Sequence, residues 1–428
     1  MSMQSSSGLN KNLNLLSLTI FGIGIIIGAG VYAVLGAAAG VAGNSLWLSF
    51  LFAAVVAVLT AFSYCELATL YPNAGAEYIY LKKTFPKYKL PSFLLGFVLI
   101  LAGAATAATV SVGFGGYLQH FTDFSKIIAA LILLIAVSII NCVGIKNSSK
   151  TNLIFTLIEV AGLVVVIWFG FYAEPLATPS FAVSTGTFTA SSLIFFVYLG
   201  FEDIANLAEE TKDPDKNIPR AILWSLAITT ILYIAVAIAA MRLATPEVLS
   251  DSELPLAEAI KGIAPRWVNI LSAIALFSTA NTALITLLAI SRMIYGIAKE
   301  GDLPKFLTKT HGESKTPINA SVVTLVCAAS FLLLGELEIL ANVSSFAALL
   351  GFLAVNCTLI ALRYTQPNLK RPFKSPINIG KFPLPAGLGI IAIILLCSQF
   401  KADVFLIGFG LVLLGLIIYF LTKRFRQS

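Results

Sequence analysis

Histidine is nearly missing from this 428-residue chain: it has only His120 and His311, far apart in the sequence. Metal sites and histidine-based triads need several such groups to converge, and no pattern here brings partners to either one. Cysteine is sparse too. Cys65, Cys142, Cys327, Cys357 and Cys397 include no CxxC pair, and all fall inside or at the ends of apolar runs. That spacing excludes zinc-ribbon and redox-motif readings and leaves five free thiols as the expectation. Charged residues make up 11% of the chain, against about 25% in a soluble domain. With no nucleophile–base pair, no metal cluster and no repeated filter motif, neither an embedded enzyme nor a channel is expected. No metal and no cofactor is expected either.

What the chain has in quantity is apolar surface. It is 58% hydrophobic, with a mean hydropathy of +0.91. One water-soluble core cannot bury that much, so most of the chain is expected in lipid, where each crossing takes about 20 mostly apolar residues. The runs predict an all-α membrane protein of about twelve helices: 15–40, 44–70, 92–119, 126–145, 152–173, 187–208, 219–241, 267–297, 318–335, 338–363, 382–400 and 402–422. No cleavable signal pattern is expected in the opening MSMQSSSGLNKNLN.

The basic residues test that map. With the N-terminus inside, 23 of the 28 lysines and arginines fall on the inner side and five outside, namely Lys126, Arg242, Lys261, Arg266 and Lys401. The bias follows the positive-inside rule and predicts both termini, 1–14 and 423–428, in the cytoplasm. Among the inner residues are Lys11, Lys146 and Lys315. The net charge of +7 is spread over separate loops, so it reflects topology and not a nucleic-acid partner.

Two segments are odd. GIGIIIGAGVYAVLGAAAG carries glycine at 22, 24, 28 and 30, each costing roughly 0.5–1 kcal/mol in a helix interior relative to alanine. The G-x-x-x-G spacing of Gly24 and Gly28 reads as close packing or as an interrupted helix. A dinucleotide loop is a poor match, because the following residues are apolar and no acid appears before Glu66. The second segment, SSLIFFVYLGFEDIANLAEE, runs from apolar residues through Gly200 straight into Glu202 and Asp203, then turns apolar again before Glu209 and Glu210. Charges at membrane depth face a cavity or partners. If residues 15–173 and 187–363 are two five-helix halves, each oddity opens its half, and an odd number of spans inverts one half relative to the other. Such paired interruptions mark the binding site of inverted-repeat transporters. Helices over 382–422 are an appendage.

The residues that carry a resemblance are GIGIIIGAGVY, YPNAGAEYIYLKK, GFEDIANLAEETKDPDKNIPRAI, SRMIYGIAKEGDLPKF and RPFKSP, in this order from one end of the chain to the other. On these segments the chain resembles the amino acid–polyamine–organocation (APC) superfamily of transporters, which share the leucine-transporter (LeuT) fold. The resemblance implies that the first helix unwinds near Ile26–Gly30 and the sixth near Phe196–Phe201. Freed amides at Ala29, Gly30 and Val31 would then hold a substrate carboxylate at a helix N-terminus. The carbonyl ends at Ile26, Phe196 and Leu199 would take the ammonium group. Gly28, Gly30 and Gly200 would let a ligand meet bare backbone. The resemblance also implies a pocket drawing on the small residues of helix three and on Ser278, Asn281 and Thr282 of helix eight. Tyr198 and Phe201 are either lids or plain packing.

Relatives are driven by protons, by sodium or by exchange. Where some proton-coupled relatives carry a helix-five lysine, this chain has Glu159, which departs from that pattern and could itself carry a proton or fix a partner on helix one. Glu202, just past the second interruption, either senses protons or anchors a hinge hydrogen bond. Glu66 and Glu77, flanking the YPNAG loop, are expected to pair with basic residues. Asp251, Glu253 and Glu258 are expected as surface charge on the longest outer loop. The resulting expectation is a secondary transporter for an α-amino acid in the cytoplasmic membrane, coupled to protons or else to sodium. Neutral substrates are favoured by the small residues of helix three. Cationic amino acids or polyamines stay open because of Glu202 and Asp203.

Overall fold

The structure is a computed structural model. It describes residues 13–28, 30–73, 75–143, 148–208, 211–310 and 317–426. Ala29, Glu209, Glu210, His311, Lys11, Lys146 and Lys315, with the two outermost tails, lie outside the described residues.

Long apolar runs have no water to satisfy their backbone groups in lipid, and the helix satisfies them within one segment. Each of the twelve expected segments carries helix. The elements in chain order are α1 (Leu15–Ile27), α2 (Gly30–Ala42), α3 (Leu46–Leu70), α4 (Ala76–Thr84), α5 (Lys89–Gln119), α6 (Lys126–Val143), α7 (Ser148–Tyr172), α8 (Thr185–Ile194) and α9 (Asp203–Asn206). Then follow α10 (Pro214–Leu243), α11 (Pro246–Ser250), α12 (Pro255–Lys261), α13 (Pro265–Lys299), α14 (Ile318–Phe331) and α15 (Leu337–Thr365). A small hairpin of β1 (Asn378–Ile379) and β2 (Phe382–Pro383) leads into α16 (Leu384–Cys397), and α17 (Ala402–Arg426) ends the described chain. Among the described residues, eight helical stretches are long and apolar enough to cross a membrane, and shorter apolar helices occupy 15–27, 126–142, 318–334 and 384–397.

Local chemistry sets several boundaries. Asn14 caps α1, its side-chain oxygen accepting from the Ser17 N–H at 2.9 Å. Ser184 and Thr187 form a reciprocal capping box at α8, which satisfies two otherwise orphaned amides. Proline opens α10 and α13 in the first turn, where a missing N–H costs nothing. α10 thereby starts at Pro214, a turn earlier than the apolar run suggested. The helices α4, α11 and α12 and the hairpin were not expected; all are short and none stands out by hydropathy.

α5 is the central rod, packed against α13 and α15 with α6, α14 and α17 around it. Its Ala104, Ala105, Ala107 and Ala108 are fully buried, and Ile290 of α13 fills the space beside Gly103. A second group joins α10 to α3, α1 and α7. The outer surface is apolar: Ile128, Ile132, Ile135 and Ile139 form an exposed stripe on α6, and Leu406, Phe409 and Leu413 are exposed on α17. These are the lipid-facing sides of a membrane protein.

At one end of the bundle Glu66 of α3, itself fully buried, ties down the connection after α15. It accepts from Arg363 Nε at 2.7 Å and Arg363 Nη2 at 2.6 Å, pairs with Arg371 Nε at 3.0 Å, and accepts the Ser375 N–H at 2.8 Å. The expectation that Glu66 pairs with basic residues holds. Glu77 differs. It is buried and accepts from the Tyr64 hydroxyl at 3.1 Å, while Oε2 has no partner among the described residues. The nearby Lys82 is drawn instead to Glu300 at 2.6 Å.

Candidate functional site

Both odd segments are interrupted helices. α1 ends at Ile27, Gly28 leaves helical geometry at φ 13°, ψ −151°, and α2 begins at Gly30. α8 ends at Ile194, a 3-10 turn spans Phe195–Tyr198, Leu199 is extended, and Gly200 sits at φ 112° before α9. A residue with a Cβ strains at that φ.

The two interruptions touch. A Cβ on Gly30 would press on Val197, and one on Gly200 would strike the Ile25 side chain. A Cβ on Gly28 would meet the Thr282 hydroxyl of α13. The side of each glycine where a Cβ would stand is therefore filled by protein, so these glycines serve the approach of three helices.

Tyr233 of α10, which the sequence did not single out, stands between the breaks. Its hydroxyl lies 2.5 Å from the carbonyl of Ile26 and 3.1 Å from that of Val197. One O–H carries one proton, so two carbonyls from different interrupted helices compete for one donor. Tyr198 packs edge-on to Tyr233 with ring centres 5.4 Å apart, and its own hydroxyl donates to the Phe50 carbonyl at 3.1 Å. Phe201 is enclosed by Tyr64 and Phe352. Both aromatics are fully buried, packed in this conformation. Ile26, Val31 and Phe196 are buried as well, and Leu199 is half-buried.

On the other side of the first break lies Glu159 of α7. It is buried, receives the Asn281 amide at 3.3 Å on Oε1, and has no partner for Oε2 among the described residues. Ser278 Oγ, which makes no hydrogen bond of good geometry among the described residues, is its neighbour. Tyr32 of α2 donates to the backbone carbonyl of Glu159 at 2.9 Å, and Tyr117 of α5 donates to the Tyr32 carbonyl at 2.9 Å. The structure thus brings Ser278, Asn281, Thr282 and Glu159 to the first break.

Glu202 belongs elsewhere. It is half-buried, and its carboxylate accepts the Gly200 N–H at 2.9 Å, within the second interruption. Its neighbours are Asp203, Glu77 and Tyr64. Just beyond, Asn206 Oδ1 accepts both the Gly75 N–H at 3.0 Å and the Ala76 N–H at 2.9 Å, joining α9 to the start of α4. α4 in turn reaches the end of α13, where Lys82 meets Glu300 and the Tyr78 hydroxyl bonds Asp302. Three of the motif segments therefore meet at one end of the bundle, and no sequence spacing announces it. Among the described residues, no group of three or more His, Cys, Asp or Glu could hold a metal ion.

Two interrupted helices in contact, their broken ends sharing one tyrosine hydroxyl, are the kind of paired interruption found in inverted-repeat carriers. The family model described as amino acid permease matches residues 13–423. The chain belongs to the amino acid permease family. The branched-chain amino acid permease BcaP of Bacillus subtilis is 29% identical to it, over 97% of this chain and 94% of the relative. The cationic amino acid transporter 7, chloroplastic, of Arabidopsis thaliana is 31% identical over 86% of this chain and 68% of the relative. The methylthioribose transporter of Bacillus subtilis is 30% identical over 87% of this chain and 85% of the relative. This permease is accordingly a multi-pass membrane transporter and not an enzyme.

Proposed function

We propose that this permease is a secondary active transporter that moves a neutral α-amino acid across the cytoplasmic membrane by alternating access, coupled to protons. Residues 15–173 and 187–363 act as two inverted halves, the helices over 382–422 are appended, and both termini face the cytoplasm, in line with the basic-residue bias. The observation that carries the reading is the convergence of the Ile26 and Val197 carbonyls on the single hydroxyl of Tyr233. A substrate ammonium group supplies the donors those carbonyls lack, and the free amides at the start of α2, around Gly30 and Val31, suit its carboxylate. Phe196 and Leu199 would complete the substrate surface, Gly28 and Gly200 keep the broken helices close to their neighbours, and Tyr198 with Phe201 would close the site by moving from their packed positions. Ser278, Asn281 and Thr282 line the side of α13.

Glu159 is the proposed proton carrier. It is enclosed beside the first break with one oxygen unpartnered among the described residues, and proton relays are among the uses that intramembrane carboxyls serve. Sodium held by α1 carbonyls and α13 hydroxyls is the competing coupling ion. The name of the branched-chain relative favours a neutral aliphatic substrate. Glu202 and Asp203 beside the second break, with the cationic relative, favour lysine-like substrates as the second reading.

Purified protein in liposomes with an inward acid gradient decides among these. Labelled leucine should accumulate, lysine should not, and a protonophore should abolish the accumulation without added sodium. Glu159→Gln should still exchange leucine across the membrane yet fail to concentrate it. A Glu159→Gln protein that concentrates leucine on the gradient removes this residue from coupling.

A further inference from the structure

The connection between α15 and α16 encloses a cleft of about 460 Å³, lined among others by Arg363, Asn368, Arg371, Lys374, Gly380 and Lys381. Four of its lining residues are cationic and none is acidic. Glu66 beneath it compensates part of that charge, but only one carboxylate stands against two guanidiniums. Lys374 and Lys381 are exposed and have no ion-pair partner among the described residues. The local balance is therefore strongly positive.

The arginines are fixed. Arg363 spends Nε and Nη2 on Glu66 and keeps Nη1 without a partner among the described residues. Arg371 holds the turn beneath the cleft by donating to the carbonyls of Leu369 at 2.8 Å and Gln366 at 3.0 Å. Rigid guanidiniums together with mobile ammonium groups are the donor set that phosphate groups favour.

The rim is apolar in a directed way. Ile377 and Ile379, on the hairpin that leads into α16, are each 68% exposed. Ile377 is held at φ 54°, a conformation that is a genuine outlier for a β-branched residue. The hairpin maintains it through the Leu384 N–H bond to the Ile377 carbonyl at 3.1 Å. Two isoleucines presented outward beside four cations match the boundary between acyl chains and headgroups.

We infer that this cleft binds a phosphate-bearing anion, namely the headgroup of an anionic phospholipid in the leaflet at the proposed cytoplasmic face, with Ile377 and Ile379 set into the acyl boundary. A soluble phosphate compound shares the chemistry and is the other source. The test uses the full chain in mixed micelles, titrated with phosphatidylglycerol, with phosphatidylcholine or with inorganic phosphate, and followed by thermal unfolding and by native mass spectrometry of retained lipid. The variant is Lys374→Gln/Lys381→Gln, both exposed. The control is Lys305→Gln/Lys309→Gln, exposed lysines outside the cleft.

Phosphatidylglycerol should raise the unfolding temperature and stay bound, phosphatidylcholine should not, and the double variant should weaken binding roughly thirty-fold. The control pair should leave it within about two-fold of the parent. Stabilisation by inorganic phosphate as strong as that by phosphatidylglycerol supports the site and assigns the soluble source. No selectivity for either anion, or equal losses in the variant and the control pair, overturns the inference.

Discussion

Replacing Glu77 by glutamine removes its titration while keeping its shape. Glu77 lies outside the membrane-spanning segments, in the first turn of α4, and is fully enclosed. Burial pushes its carboxyl up from an ordinary value of 4.5 to about 7, and the negative charge of Asp203 adds to this against the hydrogen bonds that Glu77 accepts from Tyr64 and from backbone. The folded protein therefore holds a proton that the unfolded chain releases more readily. The stabilisation is complete below about pH 4.5, is lost as pH rises through 7, and is gone above that. At 1.36 kcal/mol for each tenfold change, the whole swing is about 3 kcal/mol, on the order of 5 °C in unfolding temperature. Unfolding followed by intrinsic fluorescence in detergent, from pH 5 to pH 8, reads it directly. The parent should lose stability across that window more steeply than Glu77→Gln, and at pH 8 the variant should be the more stable of the two. Identical slopes for the two proteins would refute the assignment of a proton to Glu77.

Three further substitutions have defined outcomes. Gly200→Ala puts a Cβ against Ile25 at a positive φ and should cost about 1–3 kcal/mol, seen as a lower unfolding temperature together with loss of uptake. Tyr233→Phe leaves the Ile26 and Val197 carbonyls without their shared donor; it should cost about 1–3 kcal/mol and change the Michaelis constant for leucine, whereas Tyr419→Phe, at the periphery, should leave that constant unaltered. Glu66→Ala strands the buried Arg363 beside Arg371 and should destabilise by about 3–5 kcal/mol, with rescue when Arg363 is replaced by methionine in the same protein.

The helices were legible because an apolar run of spanning length has one stable form in lipid, and the two interruptions were legible because Gly28, Gly30 and Gly200 are costly wherever a helix continues. What those glycines touch was not legible. Thr282, Val197 and Ile25 are neighbours only after folding. Tyr233 carries no signal in ILYIAV, since a tyrosine within a span is more often simply packed, and its two carbonyl partners lie 207 and 36 residues away. The error over Glu77 has the same origin. Lys82 and Lys83 stand close by in sequence, but Lys82 reaches across 218 residues to Glu300 and leaves the carboxyl to Tyr64. Glu66 was read correctly as paired, yet its partners, about three hundred positions downstream, could not be named.

Asn206 has a mechanical consequence. One side-chain oxygen clasps two successive amides, those of Gly75 and Ala76, and parting them would strand two donors at once. The stub below the broken helix and the beginning of α4 must therefore travel as a single piece. Through Tyr78 and Lys82 that piece is tied to the end of α13, so a tilt at the break would have to carry or break those contacts as well.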